Sequence, residues 1–175
     1  MLSPSPTPVL LVEDEANYRN IIGKQINSLE DFNVQAQLGN GQELIHYLEQ
    51  HDFAGIIIMD IRMPVLNGYL TLPVLQEKWP EIKVLVLSMY GMDFTVKYML
   101  QHGAAGFLVK QPKLPLYQAL TSIRDTGIFY SDVASELMFK QALNEETVKI
   151  TAREMEFCPA RVSVFGTRAH QGETA

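Results

Sequence analysis

In GIIIMDIRMPVLNG (residues 55–68), the apolar residues Ile56, Ile57, Ile58 and Met59 run straight into a carboxylate, Asp60, and the chain then breaks at Pro64 and Asn67-Gly68. A short continuous apolar run bounded by turn residues is the pattern of a strand covered on both faces, as in a parallel sheet. An acid ending such a strand adds little to stability. Asp60 therefore either caps the next element or does chemistry.

A second run of the same kind, PVLLVED (8–14), comes after a proline-rich lead (1–7) and also ends on acids. Between the two runs, Tyr18, Ile22, Ile26 and Leu29 recur at helical spacing. Val34, Ala36 and Leu38 alternate with polar residues as in a strand, and Leu44, Ile45 and Leu48 form a helix after Gly39-Asn40-Gly41. Beyond Asp60 the spacing predicts a helix at 67–79, with Pro73 inside it expected to delay its start or kink it. A strand at 82–88, a helix at 93–102, a strand at 106–110 and a helix at 114–125 complete the alternation. Repeated strand–helix units with right-handed crossovers make an α/β doubly wound parallel sheet with helices on both faces; it is taken here in the strand order 2-1-3-4-5. In such a sheet ligands lie beyond the carboxyl ends of the strands. Residues 127–150 predict a linker helix. In ITAREMEF, Thr151 and Glu154 form a capping box that could open one more helix, and the last 18 residues show no helical period.

Composition narrows the function. The 175 residues carry a net charge of −6, which gives no general attraction to nucleic acid or anionic membrane. The single cysteine, Cys158, excludes an intramolecular disulfide and fits a reducing compartment. With no signal peptide pattern and no apolar stretch of membrane-spanning length, the chain reads as soluble and cytoplasmic.

Glu13 and Asp14 end the first strand and Asp60 the third, its expected neighbour, so three carboxylates converge. Any one of them can be a helix cap. Together they repel one another and make most sense around a cation, and all-oxygen ligands with room for water favour Mg²⁺. Ser88 ends the fourth strand with a hydroxyl able to donate to a phosphoryl oxygen, and Lys110 ends the fifth with a compact cation. Each is ordinary alone; jointly they form a phosphoryl-transfer site with Asp60 as nucleophile.

LLVEDE, IIIMDIRMPVLNG, VLVLS and GAAGFLVK, in this order and spacing, resemble the receiver domains of bacterial two-component response regulators, over residues 8–126. The resemblance implies a CheY-like, flavodoxin-like (βα)5 fold. It implies that Asp60 accepts a phosphoryl group from a phosphohistidine of a sensor histidine kinase. Asp14, Asp60 and the backbone carbonyl of Arg62 would hold Mg²⁺, with Glu13 acting through water. It also implies a switch in which Ser88 is drawn inward and Phe107 rotates into the space vacated. The usual output face would carry Phe94, Lys97, Tyr98, Gln101, His102 and Tyr117; exposed Tyr98 and Tyr117 suggest a contact surface, and a homodimer through this face or the linker helix is expected. Gln111 intervenes where the family often has proline after the lysine, so a cis Lys110–Gln111 bond is not expected. Arg62 and Tyr90, two positions past Asp60 and Ser88, flank the path of an attacking water and would lengthen the life of an aspartyl phosphate.

ITAREMEF resembles the opening of the helix-turn-helix domain of LuxR-type regulators. Residues 151–175 are too short for that domain, so transcription control through DNA is expected only of a full-length parent. The alternative is a protein-interaction module of the same fold that is never phosphorylated. A haloacid-dehalogenase-like phosphatase would need an acid where Arg62 stands, and a flavodoxin-like electron carrier would need a Ser/Thr/Gly-rich loop where EDEANY stands.

Overall fold

The computed structural model describes residues 5–131 and residue 135. The strands are β1 (Thr7–Val12), β2 (Phe32–Leu38), β3 (Ile56–Asp60), β4 (Lys83–Ser88) and β5 (Gly106–Val109). The helices are α1 (Ala16–Asn27), α2 (Gly41–Gln50), α3 (Gly68–Lys78), α4 (Asp93–Gln101) and α5 (Leu116–Thr126). Most of the expected linker helix (127–150), all of 151–175, and residues 1–4 lie outside the described residues. Among those described, no helix is long and apolar enough to cross a membrane.

All five strands pair in parallel in the order β2-β1-β3-β4-β5. Because side chains alternate along a strand, the central strands feed two cores. Leu10, Val12, Ile57, Met59, Val84, Val86 and Phe107 pack with α2, α3 and α4 through Leu44, Leu48, Leu72, Leu75, Val96 and Met99. Val9, Leu11, Ile56, Ile58, Leu85, Leu87 and Leu108 pack on the other face with Ile22, Ile26, Leu120 and Ile123 of α1 and α5. The apolar runs read from the sequence are continuous because both faces are buried. The edge strand β2 alternates instead, and its pairing with β1 skips a residue after Val9.

The turn after Asp60 explains the break in the opening stretch. Val65 adopts a positive φ of 65°, and Leu66 N–H donates to Pro64 O at 2.7 Å, closing a three-residue γ-turn. Asn67 then caps α3 by accepting from Leu70 N–H at 3.1 Å, and Gly68 N–H donates to Ile61 O at 2.8 Å. A Cβ at Gly68 would meet Asp60 O at 2.8 Å, so only glycine lets the helix start this close to the strand end.

Pro73 lies inside α3, which nevertheless runs unbroken from Gly68. Proline supplies no N–H for the carbonyl four residues earlier, that of Tyr69. The Tyr98 hydroxyl of α4 donates to this carbonyl at 3.4 Å, the Tyr69 hydroxyl meets Thr95 Oγ1 at 2.9 Å, and the two tyrosine rings meet edge to face at 5.2 Å. Tyr98 is thus half-buried, which corrects its expected place on an exposed face. The His102 ring stacks on it at 3.9 Å. Tyr117 does stand out, 54% exposed.

The packed unit continues past residue 126. Gly127 ends α5 in the left-handed conformation, and Phe129, buried, bridges in parallel to Gly106 with its N–H on Ala105 O at 2.7 Å. This short addition covers part of the outer edge of β5.

The Tyr98–Tyr69 link should show as a coupling. Tyr98→Phe is expected to lower unfolding stability by about 1 kcal/mol. In a Pro73→Ala background, where the helix supplies its own N–H, the loss should be smaller; urea unfolding of the four proteins measures the difference.

Candidate functional site

The site forms where β1 and β3 end side by side, Val12 pairing with Met59. Glu13 is buried just past β1, Asp14 is exposed next to it, and Asp60 is the buried last residue of β3. One carboxylate oxygen from each lies within 4.8 Å of the others. Lys110, one residue past β5, reaches across: its Nζ is 2.7 Å from Glu13 Oε2 and 2.9 Å from Asp60 Oδ2. The Lys110 N–H is fixed in turn by Ser88 O at 2.7 Å. Asp60 Oδ1 accepts from Ile61 N–H at 2.7 Å, and the Arg19 guanidinium donates to Glu13 O. No cis peptide bond occurs among the described residues, so Lys110–Gln111 is trans.

Burial pushes the Glu13 carboxyl above the ordinary value; the hydrogen bond from Lys110 opposes this and the Asp60 charge adds to it. For Lys110, burial disfavours the ammonium, but hydrogen bonds to Glu13 and Asp60 and their charges prevail and raise its pKa above that of ordinary lysine. With all four groups ionised, three negative charges face one positive charge, which leaves an excess of two. This donor set is all oxygen and hard, with an open side at exposed Asp14, and it fits a small divalent cation.

The remaining predicted residues surround this core. Ser88 is buried at the end of β4, its hydroxyl donating to Tyr90 O at 2.9 Å and accepting from Tyr90 N–H at 3.2 Å. Phe107 is fully buried and pairs with Val86. Arg62 and Tyr90 are exposed, on different loops, and meet: the guanidinium carbon lies 4.7 Å from the ring centroid.

Sequence reasoning took Tyr18 only as a helix position facing the core. The structure sets its ring 4.7 Å from Lys110 Nζ. The signal available was an aromatic residue four positions past Asp14, about one turn into the helix that begins beside the acids.

Lys110→Met leaves Glu13 and Asp60 buried without their cation and is expected to cost up to about 3 kcal/mol at pH 7.5. The sign with pH is set by Glu13. A carboxyl with a raised folded pKa favours the folded state below its unfolded pKa and loses that contribution as pH rises through the folded pKa. Removing the ammonium raises that pKa further, so the deficit should shrink toward pH 5, as urea unfolding at the two pH values would measure.

Residues 9–120 match the family model described as the response regulator receiver domain. The chain is 35% identical over 147 residues to a protein-glutamate methylesterase/protein-glutamine glutaminase of Syntrophomonas wolfei subsp. wolfei, covering 81% of this chain and 41% of that protein. It is 31% identical to the nitrate/nitrite response regulator protein NarL of Escherichia coli K12, over 89% of this chain and 75% of NarL. In fold it is similar to the isolated receiver domain of RcsB from Salmonella enterica serovar Typhimurium, with a TM-score of 0.68 at 23% identity over 75% of this chain and 98% of that one. The sheet order, the acids at adjoining strand ends and the matched span agree: the chain belongs to the response regulator receiver domain family.

Proposed function

We propose that Asp60 is the phosphoacceptor of this receiver domain and that a sensor histidine kinase is the donor. The observation that carries the reading is Lys110 Nζ bound between Asp60 Oδ2 and Glu13 Oε2, beside a third carboxylate. Lysine poised on the acceptor oxygen can follow the charge as it moves onto a phosphoryl group. In the transfer, an Asp60 oxygen bonds to phosphorus, the phosphorus–nitrogen bond of the phosphohistidine breaks, and the imidazole leaves with its electron pair.

Asp14, Asp60 and the Arg62 backbone carbonyl are assigned to Mg²⁺, with Glu13 acting through water. When bound, Mg²⁺ supplies neutralising charge where phosphoryl oxygens approach the acids. Ser88 is assigned to a phosphoryl oxygen, which would compete with the Tyr90 carbonyl for its hydroxyl hydrogen. That exchange moves the β4–α4 loop, and Phe107, buried one strand away, is assigned as the packing element that responds. Arg62 and Tyr90, held together by cation–π contact, are assigned to shielding the phosphoryl group from water. The output is an altered association, with homodimerisation through α4, β5 and α5 or through the linker segment. In a parent protein with a complete helix-turn-helix domain, that association would control transcription through DNA.

Incubation with Mg²⁺ and acetyl phosphate should add one phosphoryl group to the parent chain and none to Asp60→Asn, by intact-protein mass. No adduct in either would transfer the assignment to an interaction module that is never phosphorylated. Arg62→Ala/Tyr90→Ala should lose its phosphoryl group several-fold faster than the parent; an unchanged rate would remove the shielding role.

A further inference from the structure

Tyr18 stands apart from the groups assigned above. Its ring packs against the core formed by α1, α5 and the sheet, while its face is 4.7 Å from Lys110 Nζ. Its hydroxyl is shut away from solvent and has no hydrogen-bond partner among the described residues. The hydroxyl therefore does not hold the lysine, and the face of the ring meets it instead. The ammonium has two carboxylates at 2.7 and 2.9 Å and an aromatic face as a third neighbour.

We infer that Tyr18 is a positioning residue for Lys110, its ring face being the surface along which the ammonium shifts from the Asp60 carboxylate to the incoming phosphoryl group. This rests on the assignment of Asp60 as phosphoacceptor. A hydrogen bond is directional and is lost when the ammonium moves by about an ångström. Attraction to a ring quadrupole is broad, acting anywhere over the face within about 6 Å. Glu13 attracts Lys110 back toward β1, and an aliphatic wall would offer nothing in return as the Asp60 contact lengthens. The ring keeps a favourable contact through the shift and keeps water away from the ammonium on that side. Because the face acts and not the hydroxyl, phenylalanine can replace tyrosine, whereas leucine, aliphatic and without a ring face, cannot.

The test replaces Tyr18 in the full chain with phenylalanine, with mono-, tri- and pentafluorophenylalanine, and with leucine. Fluorination weakens the ring quadrupole with little change of shape, so a variant that misfolds is told apart from one that only loses the attraction. Two readouts are taken: the rate of Mg²⁺-dependent phosphorylation by acetyl phosphate, and the ring-current displacement of the Lys110 ε-methylene resonances. Tyr18→Phe should rescue the rate, which should then fall stepwise with fluorination and be lowest in Tyr18→Leu, a total loss on the order of three- to thirtyfold. The ring-current displacement should be present in the parent and in Tyr18→Phe and vanish in Tyr18→Leu. A flat rate across the fluorinated series, or an undisplaced Lys110 in the parent, would overturn the role of Tyr18. Absence of any phosphoryl adduct in the parent would overturn the Asp60 assignment itself, a distinct result.

Discussion

The Lys110 ammonium, shared between Glu13 and Asp60, is the contact on which the arrangement at the carboxyl edge of the sheet depends. Two buried carboxylates at adjoining strand ends repel, and their removal from water is costly. One cation from just past β5, two strands from β3 and three from β1, answers both charges and ties the three strand ends at one point. Its worth lies in placement more than in net stability, since a buried ion pair often does no better than an apolar substitute. Lys78–Glu49, whose side chains are each 49% exposed, is the contrasting case. That solvent-screened pair between α3 and α2 contributes under about 1 kcal/mol.

Around this fixed point the groups divide by how firmly they are held. Glu13, Asp60 and Lys110 sit at or next to strand ends in a sheet whose two faces are packed, so their backbones have little freedom. Ser88 belongs to both classes: its backbone carbonyl fixes Lys110, while its hydroxyl, among the described residues, is engaged by the backbone of Tyr90. Arg62 and Tyr90 stand on loops and are held partly by each other. The strand-end acids and lysine are thus fixed by the sheet, and the Ser88 hydroxyl beside them is held by a loop.

Much of this is legible in the sequence, because the signals are local. Ile56–Met59 leading into Asp60 marks a strand buried on both faces with an acid at its end, and Val34, Ala36 and Leu38 mark the half-covered edge. Convergence of Glu13, Asp14 and Asp60 follows from β1 and β3 being neighbours, and the long side chain of Lys110 reaches them from beyond β5. The features that cannot be read depend on contacts across the fold. Pro73 carries a warning about α3 but no indication that a hydroxyl from α4 answers the orphaned Tyr69 carbonyl, so the sequence places Tyr98 on the surface. Tyr18 looks like any apolar position of an amphipathic helix, since its meeting with Lys110 joins residues 92 positions apart. Phe129 lies beyond the last helix of the repeating pattern, where no local signal points to pairing with Gly106.

That last pairing has a mechanical meaning. Phe129 bridges to Gly106 at the start of β5, the strand that carries Phe107 and leads into Lys110. The backbone bond from Phe129 to Ala105 clamps this turn to the strand. Any displacement of the start of β5 would carry Phe129 with it, like a handle fixed to the part it turns.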